Sequence, residues 1–577
     1  MTKIELSAVT LPSLGPVTLA ILSIFVFGTY GLVAFLRRPY PSNLAKVPGP
    51  GVRHWFFGSF PAEYQVEGKI SYYLHKSLDE YGHVCAITEM ARLPVIVLAD
   101  HRAVCKVLLQ TPYQRVPMIN DLIRRHAGAG ILTAEGAEHR RQRKVAHPAF
   151  TQGSVYDMAP TMHQKGDHMV TRLNRIIDGD KSEEGSLYGT STDISKAMTC
   201  IALDIIGAVG FNYEFNALLG DGATSDLERA FSDSLSLLTT GTAYGGARIL
   251  LGDPIEQFGR FFKVEEQLHL DRSKKLVRKI CAELVERAKK AESKGTDFLS
   301  LMVRANSSEE VKSSQRLTDE EMRENIPVFV FAGHETTATA LSWSMLELID
   351  ERHGKSRQDR LRQELIDADE DVWKNDARAL DSLPYLDAFT RETMRFHSPA
   401  RGLPRQAPYD DVIPLGRPMR LRDGTMTTEL HVKKGQKMIF PLSWMNRDES
   451  LWGPDGNQFK PERWLSDDKD KAVGEDVDID PSVKELRGVW SNLATFGAGP
   501  TQCIGIRMAL LEFKIAIAAL VMNFEVLPPN LPGEPAIEIV SQEQLVTKPV
   551  LKSDPKLGLA MPVRIRKLVT ATATASA

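Results

Sequence analysis

The longest run of apolar residues lies near the N-terminus. No charged residue occurs between Glu5 and Arg37, and residues 17–36 have about the 20-residue length that crosses a bilayer as a helix. Arg37 and Arg38 follow directly, which favours a cytoplasmic location for the downstream chain. We therefore predict a transmembrane anchor over residues 1–38. A cleaved signal peptide is the alternative, but no small-residue cleavage site follows the run.

Helical periodicity dominates the remaining chain, and strand patterns are short. The longest predicted helix covers residues 318–350 and opens with the capping-box sequence Thr-Asp-Glu-Glu. A second helix is predicted over 385–398, where a proline follows. Two short strands around a turn are predicted at 84–90 and 94–99. A helix over 100–110 should follow them, with an aspartate as N-cap.

Composition divides the chain into an anchor, a linker, one long region and a tail. Residues 39–51 are rich in proline and glycine and predict a stiff linker. Residues 52–566 show no sharp compositional break, so one large domain is as consistent with the length as several. An acidic stretch at 472–485 predicts a solvated surface insertion. Residues 567–577 should be a disordered tail.

Charge and cysteine content exclude some classes of protein. The 577 residues are 43% hydrophobic and 25% charged, with a net charge of −3, so nothing indicates nucleic-acid binding. The five cysteines are scattered and show no zinc-type or disulfide-type spacing, which favours a reducing compartment. They are Cys85, Cys105, Cys200, Cys281 and Cys503.

Cys503 differs from the other cysteines in its surroundings. Two glycines and a proline precede it, and a strong helical pattern follows. A helix N-terminus favours a thiolate over a thiol, because the helix dipole and free amide groups stabilise the anion. Gly499 and Gly505 would let a flat group lie against the backbone. Such a thiolate could be a nucleophile, a redox centre or a metal ligand, although most lone cysteines are small buried hydrophobes.

The pattern Phe-x-x-Gly-x-x-x-Cys-x-Gly, formed by Phe496, Gly499, Cys503 and Gly505, resembles the haem-binding loop of the cytochrome P450 family. The resemblance implies haem b held by these four residues, with the Cys503 thiolate as the axial ligand that pushes electron density toward the iron. The family usually has a basic residue two positions before the cysteine. This chain has Thr501 there.

A second motif lies inside the long predicted helix. Residues 331–337 read Phe-Ala-Gly-His-Glu-Thr-Thr, and glycine and paired threonines are poor helix formers. Gly333 would let a ligand approach the backbone, and threonine can bend a helix. The sequence resembles the P450 motif [Ala/Gly]-Gly-x-[Asp/Glu]-Thr-[Thr/Ser]. That resemblance implies that Glu335 and Thr336 relay protons to dioxygen at the haem. The alternative is a kinked core helix whose acidic residue has no role in catalysis.

Basic residues are expected at the haem propionates. His139 and Arg143 are four apart and so share a helix face, and they resemble the family's Trp/His-x-x-x-Arg pair that binds propionates. Arg405 has the same implied role. These three residues are our candidates for offsetting Thr501. The remaining basic residues of this run would be available to an acidic electron donor: Arg140, Arg141 and Lys144.

A third motif has an implied structural role. Glu392 and Arg395 are three apart on one predicted helix face and fit the family's Glu-x-x-Arg motif. Arg463, in the sequence Pro-Glu-Arg-Trp, fits the position that completes a buried triad with them. We expect this triad to support the cysteine loop and to take no part in catalysis.

Taken together, the motifs imply a cytochrome P450 fold that is mostly α with a small β-rich lobe, preceded by one transmembrane helix. The implied activity is that of a haem-thiolate monooxygenase. No flavin or nicotinamide fingerprint is recognised in the chain, so electrons should come from NADPH-cytochrome P450 reductase, with cytochrome b5 as a further candidate. Nucleic acid is not an expected partner. The expected location is the endoplasmic reticulum membrane, with a single span and a cytosolic catalytic domain.

The substrate is expected to be a lipophilic small molecule that is hydroxylated or epoxidised. By analogy with the family, the pocket should use 117–122 (a loop), 329–332, 400–403 and 545–547, which are mostly apolar. A terpenoid of fungal secondary metabolism is our first candidate, and fatty-acid or xenobiotic oxidation is the alternative. A haem-thiolate isomerase or dehydratase, a haem sensor and a membrane scaffold remain open.

Overall fold

The computed structural model describes most of the region after the predicted anchor. The described residues are 44–54, 58–59, 70–89, 93–109, 113–182, 188–220, 253–290, 295–309, 311–466, 490–543 and 546–568. The predicted anchor, the acidic insertion at 472–485 and the tail from 569 onward lie outside them.

Eighteen α-helices form most of the described structure. In chain order they are α1 Ile70–Tyr81, α2 His101–Val104, α3 Pro117–Ala127, α4 Gly136–Ala146, α5 Gln152–Asp157, α6 Ala159–Gly179, α7 Ile194–Phe211, α8 Asp253–Phe261, α9 Glu265–Lys290, α10 Phe298–Ser307, α11 Asp319–Leu348, α12 Gly354–Asp367, α13 Glu370–Asn375, α14 Ala377–Asp381, α15 Pro384–Phe396, α16 Leu442–Met445, α17 Glu449–Trp452 and α18 Ile506–Asn523.

Eleven strands form four small sheets. The strands are β1 Val84–Thr88, β2 Pro94–Leu98, β3 Thr190–Asp193, β4 Leu403–Gln406, β5 Asp411–Arg420, β6 Met426–Val432, β7 Lys437–Phe440, β8 Phe524–Leu527, β9 Ile539–Glu543, β10 Thr547–Leu551 and β11 Pro562–Lys567. The largest sheet has the order β1-β2-β7-β4, and its only parallel pair is β2 with β7. The others are β3-β11-β8 and the hairpins β5-β6 and β9-β10. The mostly helical fold with a small β-rich lobe is therefore confirmed.

Two hydrophobic cores meet at the cysteine loop. The larger core unites the helices, and the smaller one unites the four-stranded sheet with the β5-β6 hairpin. Ala494 and Ala498 pack into the β-lobe core, whereas Phe496 and Ile504 pack against the helical core. The loop that carries Cys503 therefore lies at the boundary between the two parts of the domain.

Several predicted elements appear with small differences in their ends. α11 has the predicted capping box, in which Thr318 accepts a bond from the Glu321 amide and Glu321 bonds back to Thr318. The two predicted strands are β1 and β2. Asp100 caps α2, but the helix continues as a π-helical turn over Cys105–Leu109.

Two stretches differ from the predictions. Residues 117–122 are not a loop but the start of α3, which has Pro117 in its first turn, where the missing N–H costs nothing. The linker predicted over 39–51 includes residues 44–51, yet Leu44 and Val47 are buried in the β-lobe core. The Arg422 guanidinium also binds the Val47 and Gly49 carbonyls, at 2.9 and 2.7 Å. The folded domain therefore includes the second half of that segment.

Helix α7 is the one described helix long and apolar enough to cross a membrane, but 78% of it is buried inside the protein. It packs along α11, the long helix of the core. A Cβ atom added at Gly333 of α11 would lie 3.1 Å from the Ile206 side chain of α7. Gly333 therefore permits close packing of these two helices, a role that the sequence did not indicate.

We predict that Gly333→Val lowers the stability of the domain, because the added isopropyl group would push α7 and α11 apart. Overpacking of this kind costs about 1–3 kcal/mol. The thermal unfolding midpoint of the purified protein measures the effect. Gly153→Val on α5 is the control, since nothing lies within 4 Å of a Cβ added there. Equal midpoints for the two variants would contradict the packing role.

Candidate functional site

The cysteine loop is shaped by glycines and by its own hydrogen bonds. Gly497 and Gly499 have φ of +71° and +62°, which side chains rarely adopt. A Cβ at Gly499 would lie 2.5 Å from the Leu108 carbonyl oxygen, so the loop packs tightly on the π-helical turn after α2. Gly505 has no such constraint, because a Cβ there would meet only the Phe150 ring at 3.7 Å.

A hydrogen bond of 2.8 Å, from the Cys503 amide to the Phe496 carbonyl, closes the loop. The Phe496 ring lies edge-on to Trp490, with centroids 5.2 Å apart. Gly505 then begins α18 as its N-cap residue. Cys503 therefore lies just before a helix N-terminus, as the sequence predicts.

The Cys503 side chain is exposed, in contrast to the buried Cys85 and Cys281. Many protein atoms nevertheless lie around the loop, and the loss of hydration that they cause raises the pKa of the Cys503 thiol. The Gly505 amide and Arg143 lower this pKa, but by less. The Gly505 amide therefore favours the thiolate, as the sequence predicts, but burial outweighs it in the polypeptide by itself. Within the described residues, no group of three His, Cys, Asp or Glu side chains could hold a metal ion.

Two guanidinium groups bind the residues just before the cysteine. Arg143 donates to the Gln502 carbonyl at 2.7 Å, and Arg405 donates to the Thr501 hydroxyl at 3.2 Å. Arg405 is buried, and burial, followed by the charge of Arg115, lowers its pKa to about 10. A cation from β4 therefore reaches the position where the family usually has a basic side chain.

Arg115 and His139 extend this group of cations. Arg115 donates to the Ala134 carbonyl at 3.0 Å, and its amide binds the Glu135 carboxylate at 2.8 Å. Burial lowers the pKa of His139 to about 4, with Arg115 and then Arg143 adding to the effect, so its ring is neutral at pH 7. The sequence analysis missed Arg115, because this residue belongs to no motif. The only signal in the sequence is its position just before α3.

The middle of α11 is partly open to solvent. Residues 331–336 are partly exposed, although 328–330 and 337–345 on either side are buried. The Thr336 hydroxyl donates to the Ala332 carbonyl at 2.6 Å, as expected for a threonine that bends its helix. The Glu335 carboxylate forms an ion pair with Lys548 of β10, a contact that no sequence motif indicated.

The predicted triad is present, with Glu392 and Arg395 fully buried and 6% of the Arg463 side chain exposed. Arg395 binds both oxygens of Glu392, at 2.8 and 2.7 Å, and the Arg463 Nε donates to the same carboxylate at 3.2 Å. Arg395 also donates to the Asn446 carbonyl. The Asn446 side chain in turn binds the Thr495 hydroxyl at 3.1 Å, one residue before Phe496. This chain of bonds connects the triad to the cysteine loop.

A recess of about 600 Å³ opens on the surface beside Cys503, between α4, α5 and α18. Its basic and acidic lining residues are Arg143, His147, Asp381, Asp387, Arg391, Arg507 and Lys514. Lys514 and Arg391 are paired with Asp387, at 2.7 and 2.6 Å. His147 and Arg507 are exposed. The rim of the recess is therefore basic.

Not all of the basic residues of α4 are available to a partner. Arg141 forms an ion pair with Glu321 and donates to the Arg316 carbonyl at 3.0 Å, so it ties α4 to the start of α11. Arg141 is therefore less available to a partner than the sequence predicts. Arg140 and Lys144 are exposed, as that role requires.

Comparison with known proteins gives consistent results. The family model Cytochrome P450 matches residues 48–552. Cytochrome P450 monooxygenase 128 of Postia placenta is 31% identical over 560 residues, which is 95% of this chain and 97% of that protein. Cytochrome P450 monooxygenase 205 of the same fungus is 30% identical and covers 91% and 93%. Cytochrome P450 monooxygenase claU of Ampulloclitocybe clavipes is 28% identical and covers 94% and 97%.

A solved structure supports the fold alone. The crystal structure of a cytochrome P450 (CYP102L1) matches with a TM-score of 0.68 and 22% identity, over 87% of this chain and 98% of that one. The family match over most of the chain and the relatives at 30% identity or more, joined to the cysteine loop and triad described above, lead to one conclusion: this chain belongs to the cytochrome P450 monooxygenase family.

Proposed function

We propose that this protein binds haem b through the Cys503 thiolate and oxidises a lipophilic small molecule. The observation that carries the proposal is the Cys503 loop, which two guanidinium groups hold from α4 and β4. When bound, haem supplies the oxygen chemistry, in which two electrons and two protons convert O₂ into one water and one oxygen atom inserted into the substrate.

The cations near the loop fit the two propionates of haem. Arg115, Arg143 and Arg405 carry three positive charges, and the carboxylate among them is that of Glu135. Buried charge without a counterion is costly, so this part of the chain has a deficit of negative charge that a dianionic group would remove. His139, which is neutral, would add a hydrogen-bond donor to the same group.

Glu335 and Thr336 are the proposed proton relay. Their segment is the partly exposed stretch of α11, and the Thr336 hydroxyl donates to the Ala332 carbonyl. Burial raises the pKa of Glu335, but the Lys548 ammonium and then His334 outweigh it and keep the group ionised. In this arrangement the carboxylate accepts a proton from water, and the hydroxyl passes one toward the reacting oxygen.

The substrate class is inferred from the side chains of the segments predicted to line the pocket. Phe331, Ala332, Ala400 and Leu403 are apolar and partly exposed, and such surfaces favour lipophilic ligands. We propose hydroxylation or epoxidation, with a terpenoid of fungal secondary metabolism as the class to test first.

The electron donor is proposed to dock at the basic rim of the recess beside Cys503. His147 and Arg507 are exposed there, and Arg140 and Lys144 are exposed on α4, which borders the recess through Arg143. A cationic patch attracts an acidic partner at long range. We propose NADPH-cytochrome P450 reductase for this role, with cytochrome b5 as a second acidic donor. The partner then delivers electrons on the side of the loop that carries the cysteine.

Membrane attachment is proposed from two regions of the chain. The apolar run at 17–36 lies outside the described residues. Within them, Phe258, Phe261 and Phe262 at the end of α8 are 50%, 80% and 60% exposed, and their rings contact one another. A cluster of exposed aromatic rings is expected at a lipid surface. We propose a single-span protein of the endoplasmic reticulum with a cytosolic catalytic domain.

Replacing the cysteine tests the ligand assignment. Cys503→Ala should abolish the red-shifted Soret band of the reduced, carbon-monoxide-bound protein, because no other thiolate occupies the loop. Cys200→Ala, which removes a half-buried cysteine of α7, should keep it. The difference spectrum of microsomes expressing each variant measures the result. An unchanged band in Cys503→Ala would remove Cys503 as the ligand.

Replacing the hydroxyl tests the proton relay. Thr336→Ala should raise the share of NADPH electrons that end as hydrogen peroxide, because proton transfer by a positioned group contributes about 10²–10⁴-fold in rate. Thr339→Ala is the control, since Thr339 lies on the same helix but is fully buried. Peroxide formed per NADPH oxidised measures the coupling. Equal coupling in both variants would exclude Thr336 from the relay.

Replacing a guanidinium tests the propionate contacts. Arg405→Gln should release haem about 10- to 100-fold faster, since a hydrogen bond to a charged group is worth about 1.5–3 kcal/mol. Transfer of haem to excess apomyoglobin measures the rate. Arg102→Gln, at an exposed arginine of α2, should match the wild type. A release rate unaffected by Arg405→Gln would contradict the assignment.

A further inference from the structure

The hairpin β9-β10 contacts α11 at two points. Lys548 pairs with the Glu335 carboxylate, and the carbonyl of the adjacent Thr547 accepts a hydrogen bond from Trp343 Nε1 at 2.7 Å. Glu335 and Trp343 are eight residues apart, which is about 12 Å along a helix. The start of β10 therefore lies beside α11 between these two positions, which the long side chains of Lys548 and Trp343 bridge.

The same hairpin is tied to the chain after α15. The Thr547 amide donates to the Pro399 carbonyl at 2.9 Å. On the opposite strand, Glu543 accepts from the Ser71 amide at 2.6 Å and lies 3.5 Å from the Arg401 guanidinium. A change in the position of this hairpin would therefore act on Glu335 through Lys548.

Two groups on the described elements influence the charge of Glu335. One is the Lys548 ammonium, and the other is His334, whose Nδ1 lies 4.0 Å from the carboxylate. Burial lowers the pKa of His334, an effect that Glu335 opposes and Lys548 strengthens. Its Nε2 is buried and has no hydrogen-bond partner among the described residues. Of these two groups, Lys548 is therefore the one that stays positively charged beside Glu335.

The Glu335–Lys548 pair is also within reach of water. Each of the two side chains is 18% exposed, in contrast to the fully buried Glu392–Arg395 pair. A lysine ammonium has three donors on a flexible stem and is strongly hydrated. It can therefore hold a carboxylate and an ordered water at the same time.

We propose that Lys548 is a positioning residue for proton transfer, which holds the Glu335 carboxylate ionised and oriented beside the water from which it takes a proton. This inference rests on the proposed function, since it concerns the same relay. It adds a second element to that relay, because Lys548 belongs to the β9-β10 hairpin and not to α11. The position of the hairpin then affects the efficiency of proton delivery.

The test compares three variants of the haem-loaded full-length protein. Lys548→Met removes the charge and keeps the length of the stem, and Lys548→Arg keeps the charge. Lys552→Met is the matched control, because Lys552 follows the same strand and pairs with Glu538 where both side chains are 61% exposed. The reaction uses NADPH, a microsomal P450 reductase and no added substrate. Under these conditions, O₂ ends either as H₂O₂ from one NADPH or as two waters from two NADPH.

We expect Lys548→Met to form about 3- to 10-fold more peroxide relative to water, and Lys548→Arg and Lys552→Met to match the wild type. The pH at which this ratio changes should also move upward in Lys548→Met, because loss of a nearby cation raises a carboxyl pKa. Without turnover, amide hydrogen exchange of residues 546–551 should be faster in Lys548→Met alone, because β10 loses its ion pair with α11.

Two results would overturn the proposal. One is a peroxide ratio and pH profile of Lys548→Met that match those of Lys552→Met. The other is faster hydrogen exchange with unchanged coupling, which would leave Lys548 a structural residue only. Failure of the proposed function is recognised separately, by the absence of the thiolate carbonyl band in the wild-type protein.

Discussion

The position of the cysteine loop depends on the buried carboxylate of Glu392. Its two oxygens accept bonds from Arg395, Arg463, the Trp464 indole at 2.8 Å and the Lys460 amide at 2.7 Å. An ion pair of this kind gains little over apolar packing, but removing one partner costs about 3–5 kcal/mol, because a buried charge is then left alone. The network therefore specifies one arrangement of α15, the turn at 455–464 and the segment before the loop.

The sequence predicted most of this architecture because its main features are local. A capping box, a three-residue spacing of Glu392 and Arg395 and a glycine-rich turn before Cys503 each lie within one short stretch. Their chemistry follows from residue type and spacing alone. The same holds for β1 and β2, where apolar residues in sequence mark two buried strands.

The features that the sequence did not predict depend on contacts between distant residues. Glu335 and Lys548 are more than 200 positions apart, and nothing near Lys548 marks it as a partner of a helix motif. Arg141 belongs to the basic run that the sequence predicts as a docking surface, yet it forms an ion pair with Glu321 of another helix. The packing role of Gly333 likewise depends on Ile206, which is more than 100 positions away in the chain.

The unbalanced cations around the loop have a consequence for the cell. Arg115, Arg143 and Arg405 repel one another in a poorly hydrated region as long as no dianion lies among them. A ligand that binds only the folded chain stabilises it by about 4 kcal/mol at a thousand times its dissociation constant. Haem would thus be a component of folding as well as of chemistry. When haem is scarce, we expect the cell to lose this protein to its quality-control proteases and not to store it as an empty enzyme.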